Sequence, residues 1–169
     1  DTIAAKSGFP PHPHDNMEIV TFVRTGAITH EDSLGNKGRT VAGDVQVMSA
    51  GTGIRHSEFN LEDETTTIFQ IWILPDSQGE AAAWDQRAFP RASRDGGFEV
   101  LASGTPEADG ALSIRADARV AAASLKEGER LPVFTLAHRA GVARLSLRCP
   151  RRMEEKGGDR FTFYRGDIC

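Results

Sequence analysis

From Glu18 to Pro75 the sequence is a succession of short runs rich in β-branched and aromatic residues, each closed by a turn signal, with no helical period. Strand candidates at such short spacing predict an all-β sandwich or barrel and leave little room for any other architecture. The run EIVTFVRTGAITH, residues 18–30, reads as a strand bent at Gly26. SLGNKG, residues 33–38, supplies the Gly and Asn of a hairpin turn, after which residues 39–41 resume an extended path. Ala42-Gly43-Asp44 turns the chain into VQVMS, where Val45 and Val47 share one face and Gln46 and Met48 the other. After the tight turn AGTG, residues 50–53, comes IRHSEFN. TTTIFQIWILP, residues 65–75, is apolar on both faces and stops at Pro75, which predicts a central strand covered on both sides.

Residues 76–97 break this pattern. They are polar, with Gly, Pro and a short Ala run, and read as a linker with at most one helical turn. Beyond them FEVLAS, ALSIRA, ARVAAASL, PVFTL, ARLSL and RFTFYRG are weaker strand candidates separated by Gly, Asp and Pro. The expected organisation is an N-terminal β-domain over residues 1–75, a linker over 76–98 and a second β-domain over 99–169. The 17 glycines and 8 prolines among 169 residues agree with a fold that needs many turns.

Composition narrows the function classes. Hydrophobic residues at 39% and charged residues at 26% are those of an ordinary globular protein. A net charge of −4 argues against direct nucleic-acid binding. The one basic cluster, Arg148, Arg151 and Arg152 around Cys149 and Pro150, reads as a solvated turn. No segment approaches the roughly 18 apolar residues of a membrane span, and no secretory leader is visible. Cys149 and Cys169 form no CxxC pair, so reduced thiols in a cytoplasm are expected. The sequence begins with Asp1 rather than Met, so residue 1 is not expected to be the translation start.

Two pairs of residues carry the chemistry. His12 and His14 stand at i and i+2, which on an extended segment turns both imidazoles to one face. His56 and Glu58 repeat that spacing in GTGIRHSEFN. Gly8, Gly43, Gly51 and Gly53 lie where turns would bring the two segments together. Three imidazoles and a carboxylate suit Fe, Ni, Cu, Mn or Zn rather than Mg or Ca. Four protein donors leave an octahedral ion two open positions, the pattern of a catalytic rather than a closed structural site. Glu18 has the same parity as His12 and His14, so spacing alone leaves it as an alternative carboxylate. His30 and His138 have no ligand-like neighbours and read as surface residues. Val20, Phe22, Met48, Ile54 and Trp72 are candidates to line an aromatic pocket, with ordinary core packing the preferred reading of each.

These residues resemble the two cupin motifs. Gly8, His12, His14, Glu18 and Gly26 match the first, and Gly43, Gly51, His56 and Asn60 match the second. More narrowly, HPHDNMEIVTFVRTGAITHEDSLGNKG and GDVQVMSAGTGIRHSEFN are similar to the pirin family, especially its bacterial quercetinase-like members. The resemblance is specific over residues 1 to about 75 and faint in the second half. It implies a bicupin, two jelly-roll β-sandwiches in one chain, with metal only in the N-terminal one. It implies metal ligands His12, His14, His56 and Glu58, choosing Glu58 over Glu18, which is left as a partner of the ligands or a surface residue. It implies a dioxygenase that opens flavonols such as quercetin with O2 and releases CO, with iron(II) as the first expectation for the metal and Ni, Mn, Cu or Zn as alternatives. Glu58 would double as the general base for the flavonol 3-hydroxyl. Other members act as cofactors of transcription regulators or bind enzymes, so an iron-binding regulatory protein is the alternative, as is a cupin oxygenase or isomerase with another substrate. Pirin-like chains carry a longer stretch before the first ligand pair, and RCPRRMEEKGGDRFTFYRGDIC departs from their usual ending. Both domains are therefore expected to be shortened, so that either the sequence is a fragment of a longer chain or its exposed strand edges are covered by a protein partner or by self-association.

Overall fold

The computed structural model describes residues 1–90, 94–126, 129–136, 142–148 and 159–165. Its first half holds β1 (Thr2–Ile3), β2 (Ser7–His14), β3 (Glu18–Thr25), β4 (Ala27–Asp32), β5 (Lys37–Val41), β6 (Val45–Ser49), β7 (Ile54–Asn60), β8 (Thr66–Ile73) and β9 (Ala83–Arg87). Two antiparallel sheets result, one ordered β1-β8-β3-β6-β9 and the other β2-β7-β4-β5. The expected single strand over residues 18–30 is two strands in different sheets. Gly26 makes the crossing, with a φ of 75° and Thr66 Oγ1 packed where a side chain would start.

The interior of this sandwich is layered. Along β3 the inward residues are Ile19, Thr21 and Val23, and along β8 they include Ile68 and Gln70. Ile3, Val23, Ile28 and Ile68 form one apolar cluster, and Ile19, Met48, Ala50 and Ile54 form another. Between them lies a polar row, because Thr21 pairs with both Gln46 on β6 and Gln70 on β8. Alternation along each strand thus places one polar position between two apolar ones, and the apolar clusters hold that polar layer in register.

The second half contains β10 (Glu99–Ser103), α1 (Pro106–Asp109), β11 (Leu112–Ser113), β12 (Ala118–Ser124), β13 (Arg130–Leu136), β14 (Val142–Arg148) and β15 (Asp159–Arg165). These form a sheet ordered β11-β10-β12-β15 and a separate β13–β14 hairpin. All six strand candidates of this half are strands. Helix α1 escaped the sequence reading, although Pro106 in its first turn and a left-handed Gly110 at its end are its usual punctuation.

The outer face of the first sheet is largely covered. Val20, Phe22, Val45 and Val47 join Leu101, Leu112, Ile114 and Val120 in one buried cluster, so the two halves share a core. Val20 and Phe22 are therefore core residues rather than pocket walls. Each large apolar side chain buried there contributes roughly 1.5–3 kcal/mol.

Two expectations are corrected. Residues 76–97, read as a linker with at most one helical turn, contain β9, which pairs with β6 over Val45–Ser49. Its sequence, AWDQR, is largely exposed, so backbone pairing rather than a hydrophobic alternation makes it a strand. The run 65–75 is not covered on both faces. β1 is two residues long and reaches only Thr66 and Thr67, and Phe69, Trp72 and Leu74 are exposed. His138, Cys149, Arg151, Arg152 and Cys169 lie outside the described residues. Among the described residues no helix is long and apolar enough to cross a membrane.

Candidate metal centre

Strands β2 and β7 pair antiparallel with His12 opposite His56 and His14 opposite Ile54. The i, i+2 spacing puts His12 and His14 on one face, and the three rings converge. Their centroids lie 4.9 Å apart for His12 and His14, 4.4 Å for His12 and His56, and 5.0 Å for His14 and His56. One ring nitrogen from each falls within 4.8 Å of the others. The register shifts between Phe9 and His12, across two prolines that cannot donate to the ladder. The carbonyl of Pro10 accepts a hydrogen bond from His12 Nδ1 at 2.8 Å. A carbonyl only accepts, so Nδ1 carries the proton and Nε2 keeps the lone pair of a ligand.

His56 is 2% exposed, and neither of its ring nitrogens has a hydrogen-bond partner. Burial, then the neighbouring His12, His30 and His14, lower its pKa to about 3, so the ring is neutral at ordinary pH. Burial and His12 also lower the pKa of His14, with Asp15 opposing. An imidazole buried with both nitrogens unpaired is costly, and a coordinated cation removes that cost for one of them. The donor set therefore fits a divalent transition-metal ion.

Glu58, also 2% exposed, points to the same side of β7 as His56. Gln46 Nε2 donates to its Oε1, and Gln70 Nε2 donates to Oε2 at 2.6 Å. Burial pushes its pKa up to about 7, against the hydrogen bonds from Gln70, Thr21 and Gln46 that favour the carboxylate. The polar row of the sandwich is thus the cradle of this one carboxyl group. Its oxygen converges with nitrogens of His56 and His30 rather than with His12 and His14 directly, and His56 belongs to both groups.

The other candidates separate cleanly. Glu18 lies apart from the histidines: Ser49 Oγ donates to its carboxylate at 2.6 Å and the Arg115 backbone N–H at 3.1 Å. It is neither a surface residue nor a partner of the ligands, but a buried tie between the halves. Parity misled because it holds only within one strand, and Asn16, with a φ of 41°, turns the chain between β2 and β3. Met48 and Ile54 are core. Trp72, 55% exposed, meets the His14 ring edge-on at 5.0 Å, which makes it a wall of the site.

His30 is the residue misread. It is fully buried rather than on the surface, stacked on Trp84 at 4.9 Å with 10° between the planes, and 5.3 Å from the His56 ring. Asp32 Oδ2 lies 3.2 Å from its Nε2. Burial works against the charge of Asp32, but hydrogen bonds from Asn36, His30 and Leu34 hold its carboxyl below the usual range. The signal available in the sequence was His30 and Asp32 at i and i+2, the same spacing that singled out the two candidate pairs.

A β-sandwich whose sheet gathers three imidazoles, with a buried carboxylate beside one of them, has the donor types of a cupin-type metal site. Residues 1–73 match the pirin family model. A Mycobacterium bovis protein provisionally named a quercetin 2,3-dioxygenase is 38% identical over 167 residues, spanning 96% of this chain and 68% of its own length. The chain belongs to the pirin family. A Pseudomonas aeruginosa protein with the same provisional name is 68% identical over 129 residues, 76% of this chain and 56% of its own. The crystal structure of the Escherichia coli pirin YhhW in complex with nickel(II) superimposes with a TM-score of 0.73 at 39% identity, covering 81% of this chain and 58% of that one. The chain spans about half the length of the first curated relatives it matches.

Proposed function

We propose that this chain carries the metal centre of a flavonol dioxygenase of the quercetinase type, with His12, His14, His56 and Glu58 as the ligands of one divalent ion. The observation that carries this reading is the convergence of three imidazoles around His56, whose two ring nitrogens are buried without partners. The provisional names of the relatives support the substrate class, and the nickel(II) complex of the Escherichia coli pirin supports the kind of ion. Iron(II) is our first choice, and Ni, Mn, Cu and Zn suit the same donors.

The ion would act as a Lewis acid, acidifying the flavonol 3-hydroxyl. Glu58 is suited to receive that proton, because its buried carboxylate lies beside His56 on the metal side of the sheet. Gln46 and Gln70 hold both of its oxygens, which fixes the direction in which the proton is accepted. Trp72 offers the flavonol an aromatic face beside His14. In the overall reaction one O2 is consumed, both of its atoms enter the products, and the flavonol leaves as a depside and CO. The residues 1–75, 76–98 and 99–169 divide the chain functionally in this reading, with metal in the first part alone. The protein would work in the cytoplasm, without direct contact with nucleic acid, and a partner chain or a second copy would cover its exposed strand edges.

The test is to load the chain anaerobically with Fe(II), add quercetin and air, and follow the flavonol absorption band. Loss of the band with CO release is the expected result. Stoichiometric binding of Fe, Ni, Mn and Cu in turn, with no turnover by any, would sink the dioxygenase reading and favour the regulatory one.

A further inference from the structure

Three orphaned nitrogens lie together in this sandwich: both of His56 and Nδ1 of His30. A single ion accounts for only one of them. If one nitrogen of His56 binds metal, the other carries the N–H, as in an imidazole ligand generally, and a buried N–H needs an acceptor. His30 supplies the matching vacancy. Its Nε2 faces the Asp32 carboxylate, an acceptor, so Nε2 is the protonated nitrogen and Nδ1 holds a lone pair. His30 pairs with Glu58 and Asp32 with His56 across β4 and β7, which brings the two rings to a centroid separation of 5.3 Å. Two imidazoles joined by an N–H···N hydrogen bond of about 2.9 Å have centroids about 5 Å apart. The torsion that turns an imidazole ring is soft, so the tilt of 44° between the two rings is no obstacle.

We propose that His30 is a positioning residue of the metal centre, its Nδ1 accepting the N–H of His56, so that Asp32, His30 and His56 form a hydrogen-bonded chain ending at the metal. The inference rests on the metal reading above. One ion and one hydrogen bond then satisfy all three orphaned nitrogens, and Asp32 sets the tautomer of a ligand it does not touch. Trp84, stacked on His30, fixes the plane of its ring.

Zinc(II), which is diamagnetic, allows a direct test on the whole chain labelled with 15N. In the zinc-loaded protein His56 should show one zinc-bound and one protonated nitrogen with a slowly exchanging proton, and His30 Nδ1 should be neither protonated nor zinc-bound. A zinc-bound His30 Nδ1, or a rapidly exchanging His56 N–H, overturns the proposal without any variant. His30→Asn keeps an acceptor near the Nδ1 position but loses the ring; His30→Phe keeps a ring on Trp84 but loses the acceptor. Zinc affinity should stay near wild type in His30→Asn and fall roughly 10–100-fold in His30→Phe. The reverse order would mean that His30 serves packing alone and would defeat the proposal. Failure of the wild-type chain to take up zinc at all would overturn the metal reading and the relay with it, and it is recognised before any variant is compared.

Discussion

At the scale of single residues, burial pushes the protonation of His56 and Glu58 in opposite directions. The folded pKa of His56 is depressed from 6.5 to about 3, so its contribution to stability is complete above pH 6.5 and is lost as pH falls towards 3. His14 and His30 are shifted in the same direction. Glu58 is raised from 4.5 to about 7, so its contribution is complete below pH 4.5 and is lost as pH rises through 7. Three imidazoles outweigh one carboxyl, and the urea midpoint of the metal-free chain should fall between pH 7 and pH 5. It should fall more steeply in Glu58→Gln, which removes the opposing group; a midpoint that rises on acidification would contradict the assignment. The two glutamates should also part company. Glu58→Ala and His56→Ala should abolish stoichiometric metal binding measured by calorimetry. Glu18→Ala should retain it while costing roughly 1–3 kcal/mol of stability, because Ser49 and the Arg115 N–H lose their acceptor. The choice of Glu58 over Glu18 came from the family resemblance, while the i, i+2 pairs made His12, His14 and His56 legible in the sequence as candidates. His30 was not, since its burial depends on Trp84, which arrives from a segment with no strand-like pattern.

At the scale of elements, β2 owes its position to the absence of a side chain. A Cβ on Gly8 would strike the carbonyl oxygen of Glu58 and the backbone of Phe59 on β7. Gly8→Ala must therefore push apart the two strands that carry all four proposed ligands. We expect a loss of roughly 1–3 kcal/mol in chemical denaturation together with weaker metal binding. An unchanged metal affinity in that variant would show that the strands can separate without disturbing the ligands. The strands themselves were largely visible as β-branched runs between turns. β9 was not, because an edge strand is made by backbone pairing and AWDQR turns only Trp84 into the core, too little to show as an alternation. The exposure of β8 was hidden for a related reason: residue pattern reports which faces a strand could bury, not whether another layer packs on them.

At the scale of the molecule, the core shared by β3, β6, β10, β11 and β12 means that the described halves are not independent. Leu101→Ala, in the second half, should cost roughly 2–5 kcal/mol, and the chain should still unfold in one calorimetric transition whose van't Hoff and calorimetric enthalpies agree. Two resolved transitions would show that the halves fold separately. That dependence could not be read from the sequence, where Val20, Phe22, Val45 and Val47 look like the lining of any sandwich. The placement of the only two tryptophans has a practical side. Trp72 meets His14 edge-on and Trp84 stacks on His30, so both indoles of the chain lie beside site histidines. Intrinsic fluorescence is therefore a built-in gauge of occupancy: a paramagnetic ion such as Ni(II) should quench both emitters, Zn(II) should leave them bright, and titration of the unlabelled protein can follow loading directly.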